Sequence, residues 1–341
     1  MQHPVNHIFE HTPETLAQWC ESVHMPTYRA NQILEWVYVK GVTDPLLMSN
    51  LSKLDRETLA TKMTFLSEHI LRHQLASDGT QKLLIQWNDG ESPDTGETVQ
   101  PPKPTLLPVL SPVVSDSTRQ TECVMIPSED RSTACISSQV GCPVGCKFCA
   151  SGLGGLDSNL SAGRIVEQVY RLGRLPTVRR ISNVVFMGMG EPLSNLTAVV
   201  PAIRTLASLW ALGISARKIT VSTVGLPKAI EKLSEQLDLP ITLALSLHAP
   251  NDEIRRQLIP WAQFTTIKDL LAACQQWFDK TGREITLEYT LLRGVNDKRE
   301  HAQELVKLAR TLRANVNLIR YNEVAGVPFK RPESDTVHAF Q

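Results

Sequence analysis

The sequence predicts an α/β protein of parallel β/α units preceded by a small helical N-terminal domain. From about residue 122 onward, short apolar strands (CVMIP, TACISSQ, NVVFMGMG, KITVSTVG, ITLALSLH, ITLEYTLL, VNLIRYN) alternate with helical patterns near 162–175, 196–212, 226–236, 252–258, 266–280 and 299–313. Alternation repeated this often builds a parallel sheet, either as a barrel or as an open α/β sheet. Several strands end in polar or glycine-containing segments (MGMGEP, STVG, SLHAP, YN). In such folds ligand-binding residues collect at those carboxyl ends.

The N-terminal part divides by local signals. Residues 1–70 read as helices: Thr12 can cap one that begins with Pro13 and Glu14, TYRANQILEWVYVKG stops at Gly41, and Leu51 to Thr64 gives a third. Residues 71–121 begin as a hairpin centred on Asp78-Gly79. They then break into a stretch with prolines at 93, 101, 102, 104, 108 and 112, which reads as a loosely held insertion or linker. Residues 122–341 carry the β/α units.

Composition narrows the function classes. The chain has 341 residues, 42 % hydrophobic and 21 % charged, with Lys plus Arg equal to Asp plus Glu at 35 each. A neutral globular protein does not coat nucleic acid by bulk charge, although a local basic patch remains open. The N-terminal MQHPVNHIFEHTPETL lacks the pattern of a secretory signal, and no apolar run is long enough for a bilayer, so a cytoplasmic protein with no membrane partner is expected. Seven cysteines, three of them between 142 and 149, point to metal or redox chemistry rather than a disulfide framework.

The segment GCPVGCKFCA places Cys142, Cys146 and Cys149 as C-x3-C-x2-C. A short loop of this kind can bring soft thiolates around one [4Fe–4S] cluster. Three ligands leave one iron for an external chelator, and the amino and carboxylate groups of S-adenosylmethionine (SAM) suit it. Zinc would ask for a second CxxC pair, which the chain lacks. Phe148, just before the third cysteine, matches the radical-SAM pattern. One β/α unit later, MGMGEP offers Gly190 for close backbone approach and Glu191 as a charge for an ammonium group.

Taken together, CISSQVGCPVGCKFCASGLGG, NVVFMGMGEPLSN, ITVSTVGLP, LALSLHAPNDEIRRQLIP and NLIRYN resemble the radical-SAM RNA adenine methyltransferase family, RlmN and its relative Cfr. The resemblance runs from about residue 12 to the end, interrupted by the Pro-rich stretch. It implies a partial (β/α)6 barrel behind a small helical domain that helps hold RNA. The implied activity is methylation of adenine C2 in 23S rRNA, at the peptidyl-transferase centre, and in tRNA, on the adenosine 3′ of the anticodon. The implied cycle uses two SAM molecules. One methylates a C-terminal cysteine; the other is cleaved to a 5′-deoxyadenosyl radical that takes a hydrogen from the S-methyl group. The carbon radical adds to the adenine, and a second cysteine resolves the adduct through a disulfide.

Carried over by residue, the resemblance makes Cys142, Cys146 and Cys149 the cluster ligands. Gly190, Glu191, Ser222, Ser246, Leu247, His248 and Asn322 become SAM contacts, Cys135 the resolving thiol and Glu122 the proton acceptor. It also implies an electron donor such as flavodoxin or ferredoxin, and a monomer. Taken alone, His248 reads as a hydrogen-bonded structural histidine, Ser222 as a strand-end serine and Glu122 as a solvated charge. Cys20, Cys123 and Cys274 read as small buried or surface residues, with packing the role expected of Cys274 on the helix LLAACQQWF. In the helical domain Trp36 reads as core, while Arg29 and Lys40 suit RNA phosphates.

One departure stands out. The family's methyl-carrying cysteine lies in an ACGQL-like run near the C-terminus, and no residue here maps onto it, since the chain ends at SDTVHAFQ. That ending, apparently inside a helix and without a cap, is the expected sign of a fragment. Two rivals stay open: C8 specificity of the Cfr type, and a non-catalytic RNA-binding relative that has lost the carrier.

Overall fold

A computed structural model describes residues 1–88, 105–106 and 119–341. The Pro-rich stretch of 91–118 lies outside the described residues apart from the two-residue strand at 105–106.

Three helices open the chain: α1 (Pro13–Ser22), α2 (Arg29–Leu34) and α3 (Lys53–Lys62). Thr12 caps α1 reciprocally with Thr15, and Pro13 takes the first helical position, where its missing N–H costs nothing. The helix expected to run on to Gly41 loosens after Leu34 into a π-helical turn, Glu35–Val39. Here the reading of Arg29 needs correction. Its Nε lies 3.2 Å from Asp55, and its Nη1 donates to Gln32 Oε1 and Asn50 O at 2.6 and 2.9 Å. The guanidinium ties α2 to α3, so it has little left for phosphate. Lys40 stays outside, its ammonium 4.0 Å from the Trp36 ring centroid and 3.2 Å from Glu35.

The strands are β1 (Glu68–Leu75), β2 (Gln81–Trp87), β3 (Thr105–Leu106), β4 (Gln120–Ser128), β5 (Arg131–Cys135), β6 (Gln139–Gly141), β7 (Leu156–Asn159), β8 (Asn183–Phe186), β9 (Ile219–Thr223), β10 (Thr242–Ser246), β11 (Ile285–Leu291) and β12 (Ala314–Arg320). The β1–β2 hairpin turns where Asp78 accepts the Thr80 N–H at 2.9 Å and Gly79 adopts φ 83°. The main sheet runs β12-β11-β10-β9-β8-β5-β4-β2-β1-β3. Strands β5, β8, β9, β10, β11 and β12 are parallel and lie in unbroken chain order, linked by α4 (Ala162–Leu172), α5 (Leu196–Ala207), α6 (Pro227–Gln236), α7 (Asp252–Leu258), α8 (Ile267–Thr281) and α9 (Arg299–Ala309). An open doubly wound sheet reverses its order midway. This one does not, and β12 never pairs with β5, so the architecture is a six-unit barrel left open. Beyond β12, α10 (Ser334–Phe340) packs on α9 and sets Phe340 5.5 Å from the Tyr289 ring.

The helical region joins the barrel through a buried polar seam on α4. Glu167 accepts from the Ser67 N–H at 2.8 Å and hydroxyl at 2.7 Å, and its other neighbour is His7 Nε2 at 3.1 Å. Burial alone would lift this carboxyl, but His7, Arg171 and Ser67 hold it below its ordinary range, so it is ionised. Gly163 makes room, because a Cβ there would lie 2.2 Å from His7 Nδ1.

Candidate active site

Every predicted site residue except Glu122 lies at or just beyond the carboxyl end of a parallel strand, or in the cysteine loop. That loop is clasped at its base by β6 and β7, which form their own antiparallel pair. Gly141 has φ 75°, and a Cβ there would lie 2.0 Å from Gly155 O, so the two arms of the loop can touch only at glycine. The Cys142 N–H then donates to Gly155 O at 2.9 Å, and the Lys147 N–H to Leu258 O at 2.9 Å.

The three thiols pack together against Val144, Phe148, Leu258 and Ile259. Burial lifts the Cys142 and Cys146 thiols above their usual range, and at Cys146 the other two sulfurs add to the rise. Three soft donors that repel one another as thiolates fit a cationic cluster. Among the described residues no three His, Cys, Asp or Glu groups converge on one metal ion. Thiolates on separate corners of a cuboidal cluster have no need to do so. The donor set therefore fits [4Fe–4S] and gives no support to zinc.

Gly190 takes φ 107° with Gln139 and Ser138 so close that a Cβ would lie 2.7 Å from either. Gln139, which the sequence reading passed over, accepts the Glu191 N–H at 2.7 Å and donates to Ser194 Oγ at 2.9 Å, fixing this turn. Glu191 is buried, and its carboxylate accepts from the Leu193 N–H at 3.0 Å and the Val224 N–H at 2.8 Å. Burial nevertheless pushes its pKa up to about 7.

Ser222 and Ser246 share a hydroxyl contact of 3.1 Å across β9 and β10. Beyond β10 the Leu247 and His248 N–H groups both donate to Glu288 O at 3.1 Å, with His248 at φ 56°. His248 Nδ1 accepts the Thr290 N–H at 3.1 Å, which leaves the proton on Nε2. Burial, with Arg255 adding to it, depresses this imidazole to about 3, so it is neutral at physiological pH. Its ring stands edge-on to Phe148 at 5.2 Å, forming a wall of the cluster pocket. Asn322 is exposed just past β12, while its neighbour Tyr321 donates to Phe148 O at 3.0 Å.

Cys135 ends β5 half-buried, its sulfur accepting the Met187 N–H. Burial raises this thiol to about 11. Glu122, on β4, keeps its carboxylate half-exposed, 2.9 Å from Lys82 Nζ. Its backbone carbonyl accepts the Ser137 hydroxyl at 2.6 Å, and that oxygen accepts the Met189 N–H at 2.9 Å. No resident disulfide is borne out, since all seven cysteines are free; the one the resemblance implies would form during the cycle, with the carrier cysteine. Cys20, Cys123 and Cys274 are all buried, which decides the open reading of the first two and agrees with the packing role expected of Cys274.

Residues 136–308 match the radical SAM superfamily, and residues 6–65 match the ribosomal RNA large subunit methyltransferase N-terminal domain. A crystal structure of a radical SAM methyltransferase from Sphaerobacter thermophilus superposes with a TM-score of 0.87 at 36 % identity, over 98 % of this chain and 91 % of that one. Fold and site together thus define a radical SAM enzyme, a SAM-dependent methyltransferase whose cofactors are a [4Fe–4S] cluster and SAM. The chain is 42 % identical, over 96 % of its length and 85 % of the relative's, to a probable dual-specificity RNA methyltransferase RlmN of Gloeobacter violaceus. It is 40 % identical, over 99 % and 77 %, to the dual-specificity RNA methyltransferase RlmN of Bdellovibrio bacteriovorus. It belongs to the RlmN family of RNA methyltransferases. Among the described residues no helix is long and apolar enough to cross a membrane.

Proposed function

We propose that the protein methylates C2 of adenine in 23S rRNA and in tRNA, in the cytoplasm, as a monomer reduced by a flavodoxin- or ferredoxin-type donor. The observation that carries the reading is a buried carboxylate beside a three-cysteine loop: Glu191 acts electrostatically on Cys142 and Cys146, and Cys135 ends β5, the strand ahead of that loop. When bound, the cluster supplies the electron that splits SAM into methionine and a 5′-deoxyadenosyl radical. Gly190 and Gln139 shape the turn that receives the methionine end, and Glu191 provides the charge for its ammonium. Neutral His248 and Phe148 exclude water around the cysteines.

The test uses a polypeptide of these 341 residues, reconstituted anaerobically and supplied with reductant, SAM and a 23S rRNA fragment or tRNA. None of its cysteines maps to the methyl carrier, so it should release 5′-deoxyadenosine slowly without methylating RNA. Fusing the C-terminal cysteine-bearing segment of an RlmN relative should then yield 2-methyladenosine by mass spectrometry. An 8-methyladenosine product would transfer the protein to the C8 reading. Multiple-turnover methylation by the 341-residue polypeptide would show that another cysteine carries the methyl group.

Glu191 gives this site a pH signature. With its pKa near 7, the empty site is partly protonated at neutral pH, and an incoming ammonium favours the ionised form. Below pH 7 binding must therefore expel a proton, which costs up to about tenfold in affinity per pH unit. SAM affinity should rise from pH 6 to 7.5, with proton release visible by calorimetry in two buffers, and Glu191→Gln should flatten the profile. A flat wild-type profile would remove Glu191 from the ammonium site.

A further inference from the structure

Arg255 is a buried cation on the helix that holds the cysteine loop. It lies on α7 at 1 % exposure, beside Arg256, which is exposed. Its Nε donates to Leu247 O at 3.3 Å and its Nη2 to Val224 O, so one guanidinium grips the segments leaving β10 and β9. The same helix is bound to the loop by the Lys147 N–H on Leu258 O, and Leu258 and Ile259 pack beside the thiols.

A guanidinium sealed from water needs compensating negative charge. Asp252 offers some, although its Oδ1 also accepts the Ile267 N–H at 2.8 Å. His248 faces Arg255 as a neutral ring and offers none. Val224, whose carbonyl Arg255 holds, packs beside the three cysteines, so the remaining compensation would come from Cys146 and its neighbours once they ligate the cluster as thiolates. Burial brings Arg255 down to about 10, which still leaves it cationic at neutral pH.

We propose that Arg255 is a positioning residue with two jobs: it fixes the Val224 and Leu247 segments, and it supplies the positive charge against which the three-thiolate centre accepts its electron. The proposal rests on the assignment of the cluster to Cys142, Cys146 and Cys149. Reduction moves one electron from a low-potential one-electron donor, which is oxidised by one unit, to the centre, which gains one negative charge. A fixed cation nearby favours that product and raises the reduction potential.

The experiment is a spectroelectrochemical titration of iron- and sulfide-reconstituted protein without SAM, with iron content measured first. Arg255→Gln should keep its iron and shift to a more negative potential. Arg255→Lys, which retains the charge but cannot grip both carbonyls, should keep the wild-type potential and bind SAM more weakly. A wild-type potential in Arg255→Gln at full iron, or an equal negative shift in both variants, would overturn the proposal. If circular dichroism shows Arg255→Gln unfolded, the lysine variant decides alone: an unchanged potential supports the proposal and a negative shift overturns it. Wild-type protein that takes up no iron would remove the cluster assignment, and the proposal with it.

Discussion

Alanine at Cys142, Cys146 and Cys149 together abolishes iron binding, while wild-type protein reconstituted under anaerobic conditions holds about four irons per chain with a thiolate-to-iron absorption band. Each single replacement leaves two thiolates and should lose most of that band. The loop itself should survive, because its anchors are backbone bonds that alanine leaves in place: Cys142 N–H to Gly155 O and Lys147 N–H to Leu258 O. Stability of the iron-free protein should change little, since burial already pushes the Cys142 and Cys146 thiols toward neutrality and, among the described residues, no salt bridge involves the loop cysteines. Iron content, the visible spectrum and a thermal melt separate loss of ligands from loss of fold. Stoichiometric iron in the triple variant would refute the ligand assignment.

The second large effect concerns Cys135 in protein that carries the family's C-terminal cysteine. Cys135→Ala should still take up iron and cleave SAM, because Cys135 ends β5 and lies outside the loop that carries the three cluster cysteines. It should then stop after one round, with RNA attached covalently through the methylene bridge, because no thiol remains to close the disulfide that frees the product. Labelled RNA on a denaturing gel would run with the protein. Closing the disulfide needs a thiolate, and burial holds this thiol near 11, so release in the wild type should quicken as pH rises. Free methylated RNA from Cys135→Ala at wild-type yield would return the residue to a packing role.

What the sequence made legible was local. The cysteine spacing, the strand-end glycines and the Asp78-Gly79 turn each announce themselves within a few residues. What it hid was set by distant partners. Arg255 and Arg256 are identical neighbours, and only the carbonyls of Val224 and Leu247 distinguish them. Arg29 looked free because Asp55, which occupies it, lies on another helix. The choice between barrel and open sheet depended on strand order, which no single β/α unit encodes. His248 was read both as a structural histidine and as a SAM contact. Its tether to Thr290, across forty-two positions, shows why its ring is fixed and puts its proton on Nε2.

The seam on α4 bears on how the molecule comes apart. Glu167 keeps its charge out of water only while Ser67 and His7 surround it, and both belong to the segment ahead of the first hairpin strand. Stripping such partners from a buried carboxylate costs about 3–5 kcal/mol, a large share of the stability of an ordinary domain. Phe9, at 4.9 Å from the Tyr170 ring, loses its packing in the same event. The helical region and the barrel are therefore coupled in stability, and an excised barrel would open the Glu167 carboxylate and the Tyr170 ring to water.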